Sequence, residues 1–529
     1  MKPSGQNGQN GQTLNGAEQQ PTTLGDAFRL EGPVLITHAV HNHTRLAERG
    51  FAFIGAARPS MITPFARYSK PSISFCDMLT SDLRGQKVIF VNQNFSNRYL
   101  ILVVVIFTLA STFSIIDRQI LNVMIGPIKR DLGGISDTQV SLIMGFAFAL
   151  FYTLMTYPAG RITDRYNRIN LMTAGIAGWS FMTMMCGAAS QYWQLFLARM
   201  GVGVGEATLG PASNSALADY FPPERLPIAI GIVASAPFIG QGLANIAGGP
   251  LIDYLESTPN FVVPVLGEIY SWQMVLMLVG APGLLVALAM WFLIEPARKN
   301  KQLADNTSVP MKDVWSFIKS RRHFFFFVFL GYLCLATQGW SLFSWLVEYF
   351  VRNHEWSRTD IGLSYGSIAL VVGISGSVAG GLFASAMIKR GQVDATLRVV
   401  LYSTVALLPM AAFLTVASDP YIALALLVPV TFCMAMPPGL IIVTLQTVAP
   451  NELRGQMVAF YLIAVNFLSY SFAPSLPAVI SDFVFESELA LGQSISLLAL
   501  VNYSVAIICL GLSLKYFRQA IEKTQSWRS

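Results

Sequence analysis

The sequence predicts an all-α membrane protein of twelve transmembrane helices arranged as two six-helix pseudo-repeat bundles. Three observations carry that expectation. The chain is 53% apolar and only 12% charged, against about a quarter charged in an ordinary soluble domain. From Tyr99 onward, apolar runs of about 20 residues recur, each long enough to cross a hydrocarbon core. Finally, short motifs in the first set of runs return in the second at an offset of about 225 residues, as when Pro223-Glu-Arg225 is echoed by Pro450-Asn-Glu-Leu-Arg454.

Residues 1–97 stand apart, opening on Gly5-Gln-Asn-Gly-Gln-Asn-Gly-Gln and holding no apolar stretch long enough to span. They are expected to form a mostly disordered cytoplasmic tail. No basic start with an apolar core and a cleavage site is present, so the first spanning helix is expected to direct insertion. His38, His41 and His43 have no acidic or thiol neighbour to complete a metal set. Cys186, Cys334, Cys433 and Cys509 fall in separate apolar segments without ligand spacing. Neither metal nor any other cofactor is expected, nor a disulfide.

The N-terminal bundle, 98–295, is expected to hold helices at 98–126, 137–159, 168–189, 193–217, 227–251 and 270–294. A cytoplasmic linker, 296–323, follows. The C-terminal bundle, 324–515, holds helices at 324–350, 359–385, 395–417, 420–447, 455–480 and 490–514, before a cytoplasmic tail at 516–529. Lys and Arg crowd the loops after even-numbered helices, whereas the opposite loops carry Lys129, Arg130, Arg352 and Arg358. Basic loops face the cytoplasm, which puts both termini and the linker there. This placement also explains the net charge of +6 without nucleic acid. Two parallel halves in one chain suit a monomer with a cargo site between them.

The turn from helix 2 to helix 3 reads Gly160-Arg-Ile-Thr-Asp164-Arg165-Tyr-Asn-Arg168. Gly160 would let two helices approach, and Asp164 would cap a helix or pair with an arginine to latch a gate. This loop resembles the signature of the major facilitator superfamily. Within that family the first half is similar to the Spinster group through Asp117-Arg118, Asp164-Arg-Tyr-Asn-Arg168 and Arg199-Met-Gly-Val-Gly-Val-Gly-Glu206. The segment Tyr349-Phe-Val-Arg-Asn-His-Glu-Trp-Ser357 resembles bacterial members, with Glu355 where glycine is expected. The resemblance implies the major facilitator fold, a bacterial inner membrane, and a lysolipid or sphingoid-phosphate cargo.

Ionisable groups inside a bilayer cost several kcal/mol unless paired or facing a cavity, so each marks a functional site by default. Arg199 and Glu206 lie seven residues apart, on one face of helix 4 and about 10 Å apart along its axis. Asp117 falls at a depth between them, about 13 Å from the outer face. Asp117 and Glu206 are the expected proton sites. Arg118 or Arg199 would bind an anionic headgroup, although Arg118 also lies where it can snorkel to the interface.

In the second half, Gln338, Trp340, Gln446 and Asn466 are the expected polar and aromatic substrate contacts, and no comparable buried charge is present. Gly201 and Gly205 are read as a helix-packing face; the run around them follows no strand, which rules out a dinucleotide loop. Gly248 and Gly249, in helix 5, belong to a partial antiporter-like glycine motif with Ala244 and Asn245 where glycine and proline are usual. The expectation is thus a proton-coupled transporter of an amphipathic or organic anion. A small organic or aromatic acid is the alternative, and a sensor without an output domain or an enzyme without a nucleophile and base fits poorly.

Overall fold

Residues 95–222, 225–258, 261–263, 267–298, 311–450 and 453–525 are described by a computed structural model. The expected N-terminal tail and its histidines lie outside those residues, apart from 95–97. Among the described residues, eleven helices are long and apolar enough to cross a membrane. In chain order they are Asn97–Val123, Asp137–Arg165 and Arg168–Gly187 (helices 1–3), Ile228–Glu256 and Ser271–Trp291 (5 and 6), Arg322–His354, Arg358–Lys389, Ala395–Leu414, Pro420–Val448, Gln456–Phe483 and Glu488–Glu522 (7–12).

The twelfth, helix 4, is broken. Tyr192–Glu206 and Leu209–Tyr220 are separate helices across Ala207-Thr208, so neither reaches spanning length alone. The break follows Gly201, Gly203 and Gly205 and precedes Pro211, residues that weaken or interrupt helix continuity.

Two further departures from the expectation are local. Phe261–Val263 (β1) pairs antiparallel with Gly267–Ile269 (β2) in the loop between helices 5 and 6, a small hairpin on an otherwise helical scaffold. The last helix runs on to Gln525, so the first part of the expected tail is helical.

Inside helices 2 and 11, Leu142–Phe146 and Leu462–Asn466 form π-helical turns. Each fits an extra residue into the helix, a device common at functional sites. These two helices meet: a Cβ on Gly145 would lie 2.7 Å from the Tyr470 carbonyl and 3.0 Å from that of Ser471. Only glycine permits that approach.

The halves are joined on the face opposite the termini. Asp137, fully buried at the start of helix 2, accepts from Lys129 at 2.6 Å and from Arg352 at 2.6 and 2.9 Å. Arg352 also reaches Glu348 at 2.7 Å, and Lys129 reaches Glu488 at 2.7 Å. Nearby, the Thr138 backbone and hydroxyl both donate to Asp482, Thr359 N–H donates to Asp253, and Arg358 faces Glu256. Helices 5 and 8 come together below this layer through Gly242 against Gly366 and Gly362 against Asn245.

On the terminal face, by contrast, the prominent networks tie each half to itself. Arg168 is 1% exposed; its guanidinium donates to Glu295 at 2.7 Å, Asp219 at 2.5 Å, and the Ser215 and Pro296 carbonyls at 3.0 and 2.9 Å. This binds helices 3, 4 and 6. In the second half Asp394, before helix 9, accepts from Arg398 at 2.7 Å and Arg518 at 2.9 Å. Burial pushes the Asp394 carboxyl up, but the two arginines outweigh it and hold it below the ordinary carboxylate value.

Candidate functional site

The first half concentrates charge at mid-depth. Helix 1 presents Ser114, Asp117 and Arg118, while the first segment of helix 4 presents Arg199 and Glu206 two turns apart. Close packing makes this possible. Gly203 leaves room for the helix 2 backbone at Phe148, Gly205 for Trp179 on helix 3, and Gly201 for Met182.

The charges do not meet in a single cluster. Glu206 accepts from Ser114 Oγ at 2.6 Å and Arg118 Nε at 2.7 Å, with a second, very close contact from the same guanidinium. The Arg118 plane lies 4.5 Å from the Phe148 ring centroid, 5.0 Å from Tyr152 and 5.8 Å from Tyr470. Tyr470 belongs to helix 11, so this pair sits at the seam of the halves. Arg118 therefore does not snorkel outward: Glu206 and three aromatic faces hold it inside. Its side chain keeps 13% exposure while that of Glu206 has none, which makes the arginine the accessible member.

Asp117 and Arg199 form a second compartment behind it. Asp117 Oδ2 accepts from Thr183 at 3.2 Å, and Arg199 donates to the Asp117 backbone carbonyl at 3.2 Å. Asp117 Oδ1, Glu206 Oε1, and Arg199 Nε and a terminal nitrogen are buried without a hydrogen-bond partner. Buried groups in that condition are costly and call for explanation by function, water or an ion.

The expected second-half contacts separate. Trp340 joins the site indirectly, its ring 4.5 Å from Tyr470 and 5.9 Å from Phe343. Gln338 does not: it is buried toward helix 12, donating to the Ile495 carbonyl at 3.4 Å and accepting from Asn502 at 3.3 Å. Gln446 is exposed near the terminal-face end of helix 10, where its carbonyl accepts from Arg454. Asn466 is half-buried and closes the π-turn of helix 11. Phe148, Tyr152, Ser114 and Tyr470 escaped the sequence reading, although an aromatic four residues from another on helix 2 was a usable signal.

The expected gate loop also divides. Arg168 is the anchor described above, whereas Asp164 and Arg165 are exposed. The Asp164 backbone carbonyl receives Arg298, and the cap of helix 3 is Asn167 rather than Asp164. A Cβ on Gly160 would meet nothing within 4 Å, so in this conformation that glycine makes no close helix contact. Gly248 and Gly249 sit tight against Ile120 and the Arg358 backbone.

The model of the Major Facilitator Superfamily matches residues 107–474. A protein of Mycolicibacterium smegmatis described as an MFS-type efflux pump is 27% identical over 429 residues, 79% of this chain and 94% of that one. A probable galactarate/D-glucarate transporter of Bacillus subtilis is 24% identical over 314 residues, 54% of this chain and 64% of its own. Among solved structures, a bacterial homolog of the human lysosomal transporter Spinster, inward-facing and unoccupied, superposes with a TM-score of 0.66 at 24% identity, covering 81% of this chain and 98% of that one. A D-xylose-proton symporter gives 0.57 at 15% identity, covering 77% and 97%. At these identities, the structural likeness is one of fold.

Proposed function

The chain belongs to the major facilitator superfamily, and from that membership we propose that this multi-pass membrane protein is a proton-coupled secondary transporter of an amphipathic or organic anion. As a member of a transporter family it is not an enzyme. The observation that carries the reading is the Arg118–Glu206 pair, buried at the seam of the halves beneath Phe148, Tyr152 and Tyr470.

In the proposed cycle an anionic cargo takes the guanidinium donors of Arg118, which releases Glu206 from its pairing. A carboxylate left buried without its cation is strongly disfavoured, so Glu206 takes a proton. Cargo and proton thus become linked through one arginine. Asp117, with Thr183 behind it, is the second proton site, and Arg199 the second cation. The apolar body of the cargo packs on Tyr152, Tyr470 and Trp340, as aromatic lining commonly does.

The joined face and the separately anchored halves opposite it support an inward-facing state of an alternating-access cycle. Basic loops on the terminal face support cytoplasmic termini in a bacterial inner membrane. The partners are then the bilayer, the cargo and protons, with one chain sufficient.

A lysolipid-like cargo is favoured by the one-sided charge against an aromatic wall. A small organic acid is the second reading, supported by the similarity to the probable galactarate/D-glucarate transporter of Bacillus subtilis. Protein in liposomes loaded with a pH-sensitive dye separates them. Proton flux with lysophospholipids or sphingoid phosphates, lost in Glu206→Gln, supports the first reading; flux with sugar acids alone supports the second. Silence with every anion, at a verified protein density, would reject anion–proton coupling.

A further inference from the structure

The charge layer on the joined face contains two kinds of bridge. Asp137–Arg352, Lys129–Glu488 and Glu256–Arg358 cross between the halves. Lys129–Asp137, Arg130–Glu256 and Arg352–Glu348 stay within one half. Rocking of the halves parts the first kind and carries the second kind along. Asp137 then keeps Lys129, Glu256 keeps Arg130, and Arg352 keeps Glu348, one turn before it on helix 7. The Glu488 side chain is 60% exposed, so water answers it.

Arg358 is the exception. Its side chain is 14% exposed, and the acid it meets is Glu256, 3.4 Å away across the seam. Its Nε is buried without a hydrogen-bond partner among the described residues. It is also the first residue of helix 8, where the positive end of the helix dipole disfavours a cation. A cation held there needs an acid in either state of the face.

An acid stands ready on the same half. Glu348 gives Oε1 to Arg352 at 2.7 Å and leaves Oε2 buried without a partner among the described residues. Gly126, in the short helix that follows helix 1, stands between Glu348 and Arg358. A Cβ on it would lie 2.7 Å from a terminal nitrogen of Arg358 and 3.5 and 3.7 Å from the two Glu348 oxygens. This piece of backbone belongs to the first half and leaves with it. Of the other acids on the second half, Asp360 accepts from Ser357, while Asp482 and Glu488 face Thr138 and Lys129.

Resting on the alternating-access reading above, we propose that Glu348 is the counter-ion of the opened face: as the halves part, Arg358 exchanges Glu256 for the free oxygen of Glu348. Glu348 is thus a positioning residue, holding Arg352 in both states and Arg358 in one. The crossing bridges set how firmly this face closes, and Glu348 sets how well it tolerates being open. Two acids one short helix apart in space, Asp137 and Glu348, both bonded to Arg352, therefore act on the equilibrium with opposite signs.

The test measures spin-label distances between the 1–2 and 7–8 loops of the full-length protein in lipid nanodiscs, with Asp137→Asn as the background that populates the open face. Adding Glu348→Gln should lower the ratio of open to closed roughly fivefold, the size of a partly exposed ion pair near the top of its range. In protein that also carries Arg358→Gln, Glu348→Gln should leave the ratio nearly unchanged, because the partner gained on opening is gone. Cooperative melting checks that each variant folds. Glu348→Asp, which keeps the charge but draws it back, should give the same shift at smaller size and serves if Glu348→Gln does not fold.

A shift toward the open face on Glu348→Gln would overturn the proposal, since Glu348 would then be holding the face shut. So would a fivefold loss that persists without Arg358, or distances that respond to Asp137→Asn and not to Glu348→Gln. Distances fixed in every variant would overturn it too, because packing and not charge would then set the state of the face. None of these results alters the proton-flux measurement, on which the transport reading stands or falls separately.

Discussion

The two halves share a scaffold but divide its chemistry. In the first, four ionisable side chains sit in the interior of the bundle: Asp117, Arg118, Arg199 and Glu206. The interior contacts of the second are neutral, with Gln338 held by Asn502, Thr444 by Thr396, Ser341 by the Ala473 carbonyl and Trp345 by the Pro474 carbonyl. A neutral hydrogen bond can close on itself and need not move, whereas a buried charge has to be answered by another charge or by a proton. Under the proposed function, the asymmetry would give the first half the state-dependent electrostatics and leave the second as a fixed wall.

The same contrast appears at the terminal face. Arg168 is a buried cation answered by two acids from helices 4 and 6, while Asp394 is a buried acid answered by two arginines that stay 30% and 63% exposed. The signs are exchanged between the halves, and the partners are more exposed in the second, at 30% and 63% against 13% and 22% in the first.

The comparison breaks most readily at Glu206. Glu206→Gln should lower anion-driven proton flux at least about tenfold, the lower end of losses seen when a proton-transfer group is removed, while a melting curve stays cooperative. Gln338→Leu in the second half should leave flux within about twofold. Equal losses from both would remove the distinction between a working half and a wall.

The anchors give the next effect. Arg168→Ala leaves Asp219 and Glu295 facing a buried gap and should cost about 3–5 kcal/mol, read as a lowered melting temperature or lost expression. Arg398→Ala should stay within about 1 kcal/mol, as for partly exposed pairs. Because the Asp394 carboxyl titrates below its unfolded value, its contribution is present at neutral pH and lost as pH falls through its folded pKa. The difference between Arg398→Ala and the parent should therefore shrink on acidification below about pH 4.

The joined face comes third. Asp137→Asn removes the fully buried negative charge shared by Lys129 and Arg352, and should shift the populations of the two facing states by roughly tenfold, equivalent to about 1.4 kcal/mol. Spin-label distances between the 1–2 and 7–8 loops would report the shift; an unchanged distribution would show that packing between helices 5 and 8 closes this face without the charges. The smallest effect is at Glu355, which holds φ of 56° at the end of helix 7. Glu355→Gly should raise stability by about 1 kcal/mol, since glycine adopts that conformation without strain, with flux unchanged.

Much of this was legible in advance. Apolar runs and basic loops gave twelve spans because bilayer thickness imposes length and charge cannot hide. Asp117, Arg199 and Glu206 were conspicuous for the same reason. Tyr152 and Tyr470 were not, since aromatics are common throughout membrane helices and nothing local marks the ones lining a seam. Gln338 misled because a neutral amide is at home on any helix face that finds a partner. The Asp137–Arg352 bridge joins residues more than two hundred positions apart, beyond any local pattern. The break at Ala207-Thr208 was visible in principle through Pro211 and the glycines before Glu206, but it was hidden inside an unbroken apolar window.

The π-turns in helices 2 and 11 carry a consequence for phasing. One residue in a helix is worth about 100° of rotation, so the extra residue in Leu142–Phe146 sets the direction in which Phe148 and Tyr152 point, and that in Leu462–Asn466 does the same for Tyr470. Deleting a single residue from either turn would leave hydropathy, length and charge almost unchanged, yet swing the rings away from Arg118. An insertion or deletion silent to any count of spans would thus be decisive for which relatives share this aromatic surface.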